Sequence, residues 1–255
     1  NTVIFCPEDL QLIKGTPSGR RRFLDMEISQ TSATYYHQLM QYNRLLQQRN
    51  AILKEYRGKQ NIPLEEWDLQ LADMASFIVK KRLESLKKIN LLIDLMNRKL
   101  TGGLENLTIG YEQPYMDNGS LEFTKEGFYE RIKAALPQDR HRMTTSVGPH
   151  RDDLRFFSDA MDLKKFGSQG QQRTAVLSLK LSELEFIKSE VGEYPVLLLD
   201  DVLSELDESR RANLLQFIHK RIQTFITTTD IHDFKDLKSV QFISCEGGKV
   251  QYGQP

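Results

Sequence analysis

The segment VLLLDD, residues 196–201, constrains the fold of this chain more than any other. Four apolar residues run without interruption into two adjacent aspartates, Asp200 and Asp201. A short, continuous apolar run predicts a strand that is buried on both faces, as in a parallel sheet covered by helices. Helical patterns at about 169–189 and 208–221 flank this strand. The sequence therefore predicts an α/β fold in this part of the chain.

The two aspartates are candidates for binding and chemistry because of where they stand. Ligands of open parallel sheets gather at the carboxyl ends of the strands, where the loops diverge. Adjacent carboxylates repel each other, and a bound cation or water offsets that repulsion. Asp200 and Asp201 thus indicate a functional site, although the same pair could simply begin a turn.

A second candidate site lies in the stretch FGSQGQQRT, residues 166–174, which leads into a long apolar helix. Backbone N–H groups at the start of a helix, together with hydroxyl and amide donors, suit a phosphate. A glycine in such a loop lets the backbone approach the ligand closely. The candidate phosphate ligands are Ser168, Gln169, Gly170, Gln171 and Gln172.

Two long amphipathic patterns occupy the first half of the chain. The first runs over 32–56, with Arg49 as the one polar residue of its apolar seam, and the second runs over about 64–100. Joined by a short connection, they predict an antiparallel helical hairpin. At 1.5 Å per residue the second helix would extend roughly 50 Å, so we expect it to project as an arm or lid.

The stretch PEDLQLIKGTPSGRRRFLD, residues 7–25, combines Pro and Gly turn signals with three arginines and predicts a loop-rich entry. Arg20, Arg21 and Arg22 are either a solvated or ion-paired patch or a DNA contact. The whole chain has 35 Lys+Arg and 35 Asp+Glu, which excludes the overall basic excess of a dedicated nucleic-acid binder. No apolar run is long enough to span a membrane, so we expect a cytoplasmic protein.

The order of these motifs resembles that of the ABC-type ATPases, which include the SMC-like heads. SQGQQ is similar to their signature motif, VLLLDD to their Walker B strand, and SELD, residues 204–207, to their D-loop. Gln169 stands where the usual signature has its first glycine, and Asp201 where most of these proteins have glutamate. Those variants, together with residues 7–25 and SVGPHRDDL, residues 146–154, resemble the RecF family of bacterial DNA replication and repair proteins.

This resemblance implies a role for each candidate residue. Asp200 would hold Mg²⁺, and Asp201 would be the catalytic acid that orients or deprotonates the attacking water. The signature residues, with Ser204 and Asp207 of the D-loop, would contact ATP held by a second subunit. His232 stands near the catalytic switch histidine of the family, with Asp230 and Thr229 as alternatives. His150, in GPHRDD, is either structural or a ligand contact.

The resemblance also implies the architecture and the biological role. Residues 1–24 and 146–255 would belong to an ABC-type ATPase head, and 25–145 to an inserted helical lid domain. Such a protein would form an ATP-dependent homodimer on DNA at gaps or single-strand/double-strand junctions. It would hydrolyse ATP slowly and assist recombinase loading with RecO and RecR during DNA damage and the SOS response. The alternatives are a non-enzymatic DNA- or protein-docking module and another SMC-like or ABC head.

One motif of the family is not found in this sequence. The Walker A loop, GxxxxGK[ST], matches neither GTPSGRRR nor GSQGQQRT. The resemblance places that loop before the first residue, so we expect the sequence to correspond to a family member lacking roughly its first hundred residues. We also expect this chain by itself not to bind ATP tightly and to be inactive as an ATPase, because the Walker A motif is not found in it, whereas the complete dimeric protein would be an ATPase.

Overall fold

The computed structural model describes residues 1–57, 63–103, 105–115, 123–229, 234 and 240–253. The strands are β1 (Thr2–Phe5), β2 (Leu107–Glu112), β3 (Asp153–Ser158), β4 (Met161–Asp162), β5 (Val196–Asp200), β6 (Thr224–Thr227), β7 (Phe242–Glu246) and β8 (Lys249–Gly253). The helices are α1 (Gln11–Lys14), α2 (Pro17–Thr31), α3 (Ala33–Glu55), α4 (Glu65–Thr101), α5 (Lys125–Ala134), α6 (Leu136–Arg142), α7 (Leu163–Phe166), α8 (Gln169–Val191) and α9 (Glu208–Ile218). Across these ranges, no helix is both long enough and apolar enough to cross a membrane.

A parallel sheet in the order β1–β5–β6 carries the predicted apolar strand at its centre. One face, which includes Val3, Leu197 and Leu199, is buried, whereas Ile4 and Phe225 on the other face are 52% and 55% exposed. The parallel pairing confirms the α/β fold predicted from VLLLDD, but the expectation that this strand is buried on both faces is wrong, because the described residues cover only one face of the sheet fully. It also aligns Asp200, the last residue of β5, with Thr227, the last residue of β6.

Helix α4 is a central packing element, so the expectation of a projecting arm is wrong. Its buried positions run from Asp68 to Leu100, and it packs against α3, α5 and α8. The apolar stripe of α4 drifts around the helix, so neighbours are needed on more than one side. Small residues such as Ala72 and Ala75, both 0% exposed, let those neighbours approach closely.

The segment 7–25 is helical, so the expectation of a loop-rich entry is wrong. A 3₁₀ turn over Pro7–Leu10 is followed by α1 and α2. Pro17 occupies the first turn of α2, where its missing N–H has no intrahelical partner to lose. The proline and glycine signals therefore mark helix ends here, and the arginines after them are good helix formers.

Arg49, the polar residue in the seam of α3, is completely buried and joins three helices. Its Nε donates to Asp68 Oδ1 of α4 at 2.6 Å, and its Nη1 donates to Asp139 Oδ2 of α6 at 2.7 Å. Nη1 also donates to Thr145 Oγ1 at 3.0 Å. The hairpin of α3 and α4 is thus fixed by a buried ionic network as well as by apolar packing.

A second, antiparallel sheet in the order β2–β3–β4 joins the predicted lid, residues 25–145, to the predicted head, residues 146–255. Leu107 of β2 pairs with Ser158 of β3, and Glu112 pairs with Asp153. Asn90 of α4 also donates to Ile109 O of β2 at 2.9 Å. The domain boundary stays a prediction, but the predicted lid and head share this sheet.

Candidate functional site

The two aspartates of VLLLDD lie at the carboxyl edge of the parallel sheet, and both are exposed. Asp200 ends β5, and the chain then turns sharply, because Asp201 adopts a left-handed backbone conformation with φ 50°. Such a conformation costs an L-residue of order 1 kcal/mol and is best tolerated by Gly, Asn and Asp. The turn directs the chain away from the sheet immediately after the two acids.

Thr227, at the end of β6, holds both aspartates. Its Oγ1 donates to Asp200 Oδ1 at 2.6 Å and accepts from Asp201 N at 3.0 Å. The sequence identified neither contact, although a hydroxyl residue at the end of a neighbouring strand is the signal that could have done so. The parallel register, which the sequence does not give, brings Thr227 opposite Asp200.

The D-loop residues predicted from SELD support the same turn. Ser204 Oγ donates to the Asp201 carbonyl at 2.8 Å, within a 3₁₀ turn over Leu203–Glu205. Asp207 caps α9 by accepting from Arg210 N at 2.9 Å, and the Arg210 guanidinium pairs with the same carboxylate. The pKa of Asp207 lies below its usual range, chiefly because of that backbone hydrogen bond. Asp207 therefore stays ionised.

The predicted signature residues form the N-terminus of α8. Ser168 is the N-cap, and its Oγ accepts from Gln171 N at 3.2 Å while Gln171 Oε1 accepts from Ser168 N at 3.0 Å. This reciprocal capping box uses one backbone donor of the first turn. The N–H groups of Gln169 and Gly170 are in the first turn and have no intrahelical acceptor. Ser168, Gln169 and Gly170 are exposed, as an anion-binding helix start requires.

Gln172 does not belong to the exposed signature surface, which corrects its assignment as an ATP ligand. It is 5% exposed, and its Nε2 donates to the Leu163 carbonyl at 2.7 Å. Gln172 lies on the same face of α8 as Val176 and Leu179, which are both buried, so its side chain is directed into the core. Gln171 is partly buried and donates to Glu105 Oε1 at 3.0 Å, so its amide links the signature helix to the segment before β2.

The oxygen donors at the sheet edge fit a hard divalent cation. Asp200 supplies a carboxylate, and the Thr227 hydroxyl lies 2.6 Å from its Oδ1. Within the described ranges, no cluster of three or more His, Cys, Asp or Glu side chains could hold a metal ion. Mg²⁺ is commonly bound through one or two carboxylates plus water and substrate phosphates, so this donor set suits Mg²⁺ better than a metal enclosed by protein ligands.

Arg20 does not belong to the predicted DNA-contact set. It is 3% exposed, and its Nε and Nη2 each donate to Asp153 at 2.8 Å. Its Nη1 donates to the Gly15 carbonyl at 2.9 Å. Arg20 therefore fastens α2 to β3, and only Arg21, which is partly exposed, and Arg22, which is exposed, can meet an external ligand.

His150 is half-buried in the junction formed by the GPHRDD segment, in agreement with the structural alternative for this residue. Its Nδ1 lies 2.6 Å from the Tyr42 hydroxyl and its Nε2 lies 3.0 Å from the Thr145 carbonyl. Because a carbonyl only accepts, Nε2 carries the proton and Nδ1 accepts from Tyr42. Burial lowers the pKa of His150 to about 4, so the imidazole is neutral at physiological pH.

The switch-residue prediction falls largely outside the described ranges. His232 and Asp230 both lie outside the described residues, whereas Thr229 is described and is exposed two residues after β6. Among the described residues, the hydrogen bonds of the sheet edge join Asp200, Asp201, Ser204 and Thr227 into one group. The N-terminus of α8 forms a separate group, held by Ser168, Gln171 and Glu105.

No family model matches the chain. Among curated proteins, it is 50% identical over 240 residues to the DNA replication and repair protein RecF of Alkaliphilus oremlandii. That alignment covers 93% of this chain and 65% of the relative. It is 45% identical over 257 residues to the protein of the same name from Halalkalibacterium halodurans, covering 98% of this chain and 69% of the relative. The chain thus spans about two thirds of the length of these relatives.

Solved structures show the same similarity. The recombination mediator protein RecF with ATP, in the RecFOR pathway, superposes with a TM-score of 0.88 at 35% identity, covering 100% of this chain and 68% of that chain. A second structure, of RecF-ATPrS from the same pathway, superposes with a TM-score of 0.87 at 37% identity, covering 98% of this chain and 67% of that chain. An Smc head domain from Pyrococcus furiosus, at 14% identity and a TM-score of 0.51 over 99% and 61%, shares the fold alone.

The sequence motifs, the fold and the relatives agree. The α/β part resembles the heads of solved RecF and Smc proteins, and the predicted Walker B and D-loop residues are adjacent in space. The sequence identity is far above the level at which only a fold is shared, and it extends over 69% of a curated relative. The chain belongs to the RecF family.

Proposed function

We propose that this chain forms part of an ATP-dependent dimer that acts on DNA in recombinational repair. The observation that carries the proposal is the sheet edge, where Thr227 holds Asp200 while Asp201 is exposed beside it. The relatives supply the biological context, since their name specifies DNA replication and repair and the solved mediators are described with ATP. ATP and Mg²⁺ are the proposed cofactors.

The two aspartates have different proposed tasks because they are held differently. Asp200 is oriented by Thr227 and would hold Mg²⁺, which when bound would neutralise charge on the phosphates. The backbone of Asp201 is fixed by Thr227 and Ser204, and its carboxylate projects from a tight turn. From that position it would accept a hydrogen bond from a water and orient it for attack on the γ-phosphate.

The N-terminus of α8 would serve a phosphate held by another subunit. Ser168, Gln169 and Gly170 are exposed, and two first-turn N–H groups have no intrahelical acceptor. The positive end of the helix dipole favours an anion at the same place. ATP would therefore join two protomers, and we assign Ser168, Gly170 and the backbone of Gln169 to that contact.

The remaining parts of the proposal concern partners. Gapped DNA or single-strand/double-strand junctions are the proposed substrates, and slow hydrolysis would release the dimer. RecO and RecR are the proposed protein partners, because the solved mediators are placed in the RecFOR pathway. Recombinase loading is the proposed outcome, and His232 remains the proposed switch residue.

ATP turnover tests the proposed chemistry. We would place Asn at the position aligned with Asp201 in the Halalkalibacterium halodurans relative, whose alignment covers 98% of this chain at 45% identity. Asn keeps the size and tolerates the left-handed backbone but cannot act as a base. We expect turnover to fall about 100-fold or more, with ATP binding retained. Unchanged turnover would instead favour the non-enzymatic docking module.

A further inference from the structure

A groove of about 650 Å³ lies between α2 and α3, away from the residues assigned to ATP. Its α2 side includes Ser18, Arg21 and Arg22, and its α3 side includes Tyr36 and Asn43. Arg82, Pro149 and His150 line it as well, so the GPHRDD junction forms part of its wall. The groove is open and is large enough for a segment of an extended polymer rather than a single ion.

The groove is lined by more basic than acidic residues, in a chain with no net charge. Arg21, Arg22 and Arg82 line it, against one acidic residue, Asp25. The Asp25 carboxylate is engaged by Arg82 at 2.9 Å and by the Tyr35 hydroxyl at 2.5 Å. The groove therefore has a local excess of positive charge that favours an anionic ligand.

Arg21 and Arg22 are the cations of the groove that remain available. Arg22 is exposed, and in the described ranges its guanidinium has no ion pair or hydrogen bond. Arg21 donates to the Asp152 carbonyl at 2.7 Å through Nη1. Burial lowers the pKa of Arg21, and the neighbouring Arg82 lowers it further. An anion bound beside Arg21 would relieve that repulsion between like charges.

The other lining groups match a nucleic-acid strand better than a simple anion. Tyr36 is 48% exposed and is held edge-on by His37, with ring centroids 5.7 Å apart. An exposed aromatic ring beside arginines provides a surface on which bases or sugars pack. Side-chain donors from Ser18 and Asn43 are those that commonly contact phosphate and sugar oxygens.

We propose that the α2–α3 groove binds the sugar–phosphate backbone of a DNA strand, with Arg21 and Arg22 contacting phosphates and Tyr36 packing against a sugar or base. The choice of DNA rests on the proposed function. The location rests on the groove, its charge and its exposed tyrosine. An acidic protein segment is the competing occupant, and the experiment below separates it from DNA.

Salt-dependent DNA binding by the 255-residue chain tests the proposal. Fluorescence anisotropy with a labelled gapped duplex would be measured at several salt concentrations for the wild type, Arg22→Ala, Arg22→Lys and Tyr36→Ala. Arg22→Ala should weaken binding about 5-fold at low salt and reduce the slope of log K against log salt by about 0.9, the value for one lost phosphate contact. Arg22→Lys should keep the slope. Tyr36→Ala should weaken binding about 5-fold with the slope unchanged, because stacking is not ionic.

Lys87→Ala is the matched control, since Lys87 is an exposed cation of α4 that does not line the groove. It should bind DNA like the wild type. If Arg22→Ala and Tyr36→Ala bind like Lys87→Ala, the groove is not the DNA site, although DNA binding as a function would stand. If the wild-type chain binds no DNA, this proposal and the DNA part of the proposed function both fall, whereas ATP-dependent association would still be decided by its own measurement.

Discussion

The hydroxyl of Thr227 lies 2.6 Å from Asp200 Oδ1 and donates to it across two neighbouring parallel strands. The same oxygen accepts from Asp201 N at 3.0 Å, so one side chain positions both acids of the Walker B segment. The neighbouring strand thus holds the carboxylate of Asp200 and the backbone of Asp201. This arrangement suits a site that must present carboxylates in a fixed geometry.

Replacing Thr227 by Val should loosen this edge of the sheet. Val keeps the shape and the β-branching but removes the hydroxyl, so Asp200 and Asp201 each lose a partner. We expect the free energy of unfolding to fall by about 1 kcal/mol, measured by urea denaturation. Thr227→Ser is the control and should stay closer to the wild type. Equal stability of Thr227→Val and the wild type would show that the hydroxyl does not anchor the acids.

The buried network around Arg49 gives a larger expected effect. Arg49→Met leaves the carboxylates of Asp68 and Asp139 without their cation in the interior. Removing one partner of such a network lowers the free energy of unfolding by about 3–5 kcal/mol, which urea denaturation would measure. Arg44→Ala, at an exposed position of the same helix, should change stability by less than about 0.5 kcal/mol. Similar losses in both variants would contradict the assigned role.

His150 should make stability depend on pH in a predictable direction. Its pKa is lowered from 6.5 to about 4 by burial, so the unfolded chain binds a proton at a higher pH than the folded chain does. This contribution to stability is fully present above pH 6.5 and is lost as the pH falls toward 4. Between pH 7 and pH 5 the loss should be about 2 kcal/mol.

His150→Gln tests that assignment because glutamine cannot be protonated in this range. Urea denaturation at pH 7 and pH 5 would compare the variant with the wild type. The variant should be less stable at pH 7, because the contacts to Tyr42 and Thr145 are disturbed, but should lose about 2 kcal/mol less on acidification. An identical pH dependence in both proteins would mean that another group governs the acid transition.

Local signals predicted the elements around the site well. The strand β5 and the Ser168 start of α8 were confirmed, because a short apolar run and a helix cap are properties of short segments. The packing of α4 was not predicted, since periodicity shows that a face is apolar but not how many neighbours cover it. The helical entry was missed because proline and glycine cap helices as readily as they form loops.

Contacts that are set by strand register or by the orientation of a residue on its helix could not be predicted from the sequence. Thr227 meets Asp200 only through the parallel pairing of β5 and β6. The sequence pattern places Gln172 among the exposed amides, yet its position in the first turns of α8 directs its side chain to the Leu163 carbonyl. Arg20 was grouped with its neighbours, although alternate positions on a helix face different surroundings and only Arg20 reaches Asp153.

The central claim is that Ser168 and the N-terminus of α8 contact ATP held by a second subunit. Size-exclusion chromatography would measure association of this chain with the full-length Halalkalibacterium halodurans relative, with and without a slowly hydrolysed ATP analogue. Ser168→Asp retains the N-cap but places a negative charge where the phosphate would bind, and Ser168→Thr retains both the cap and the hydroxyl. We predict ATP-dependent association for the wild type and Ser168→Thr, and its loss for Ser168→Asp. Association that is independent of nucleotide, or unchanged in Ser168→Asp, would contradict the claim.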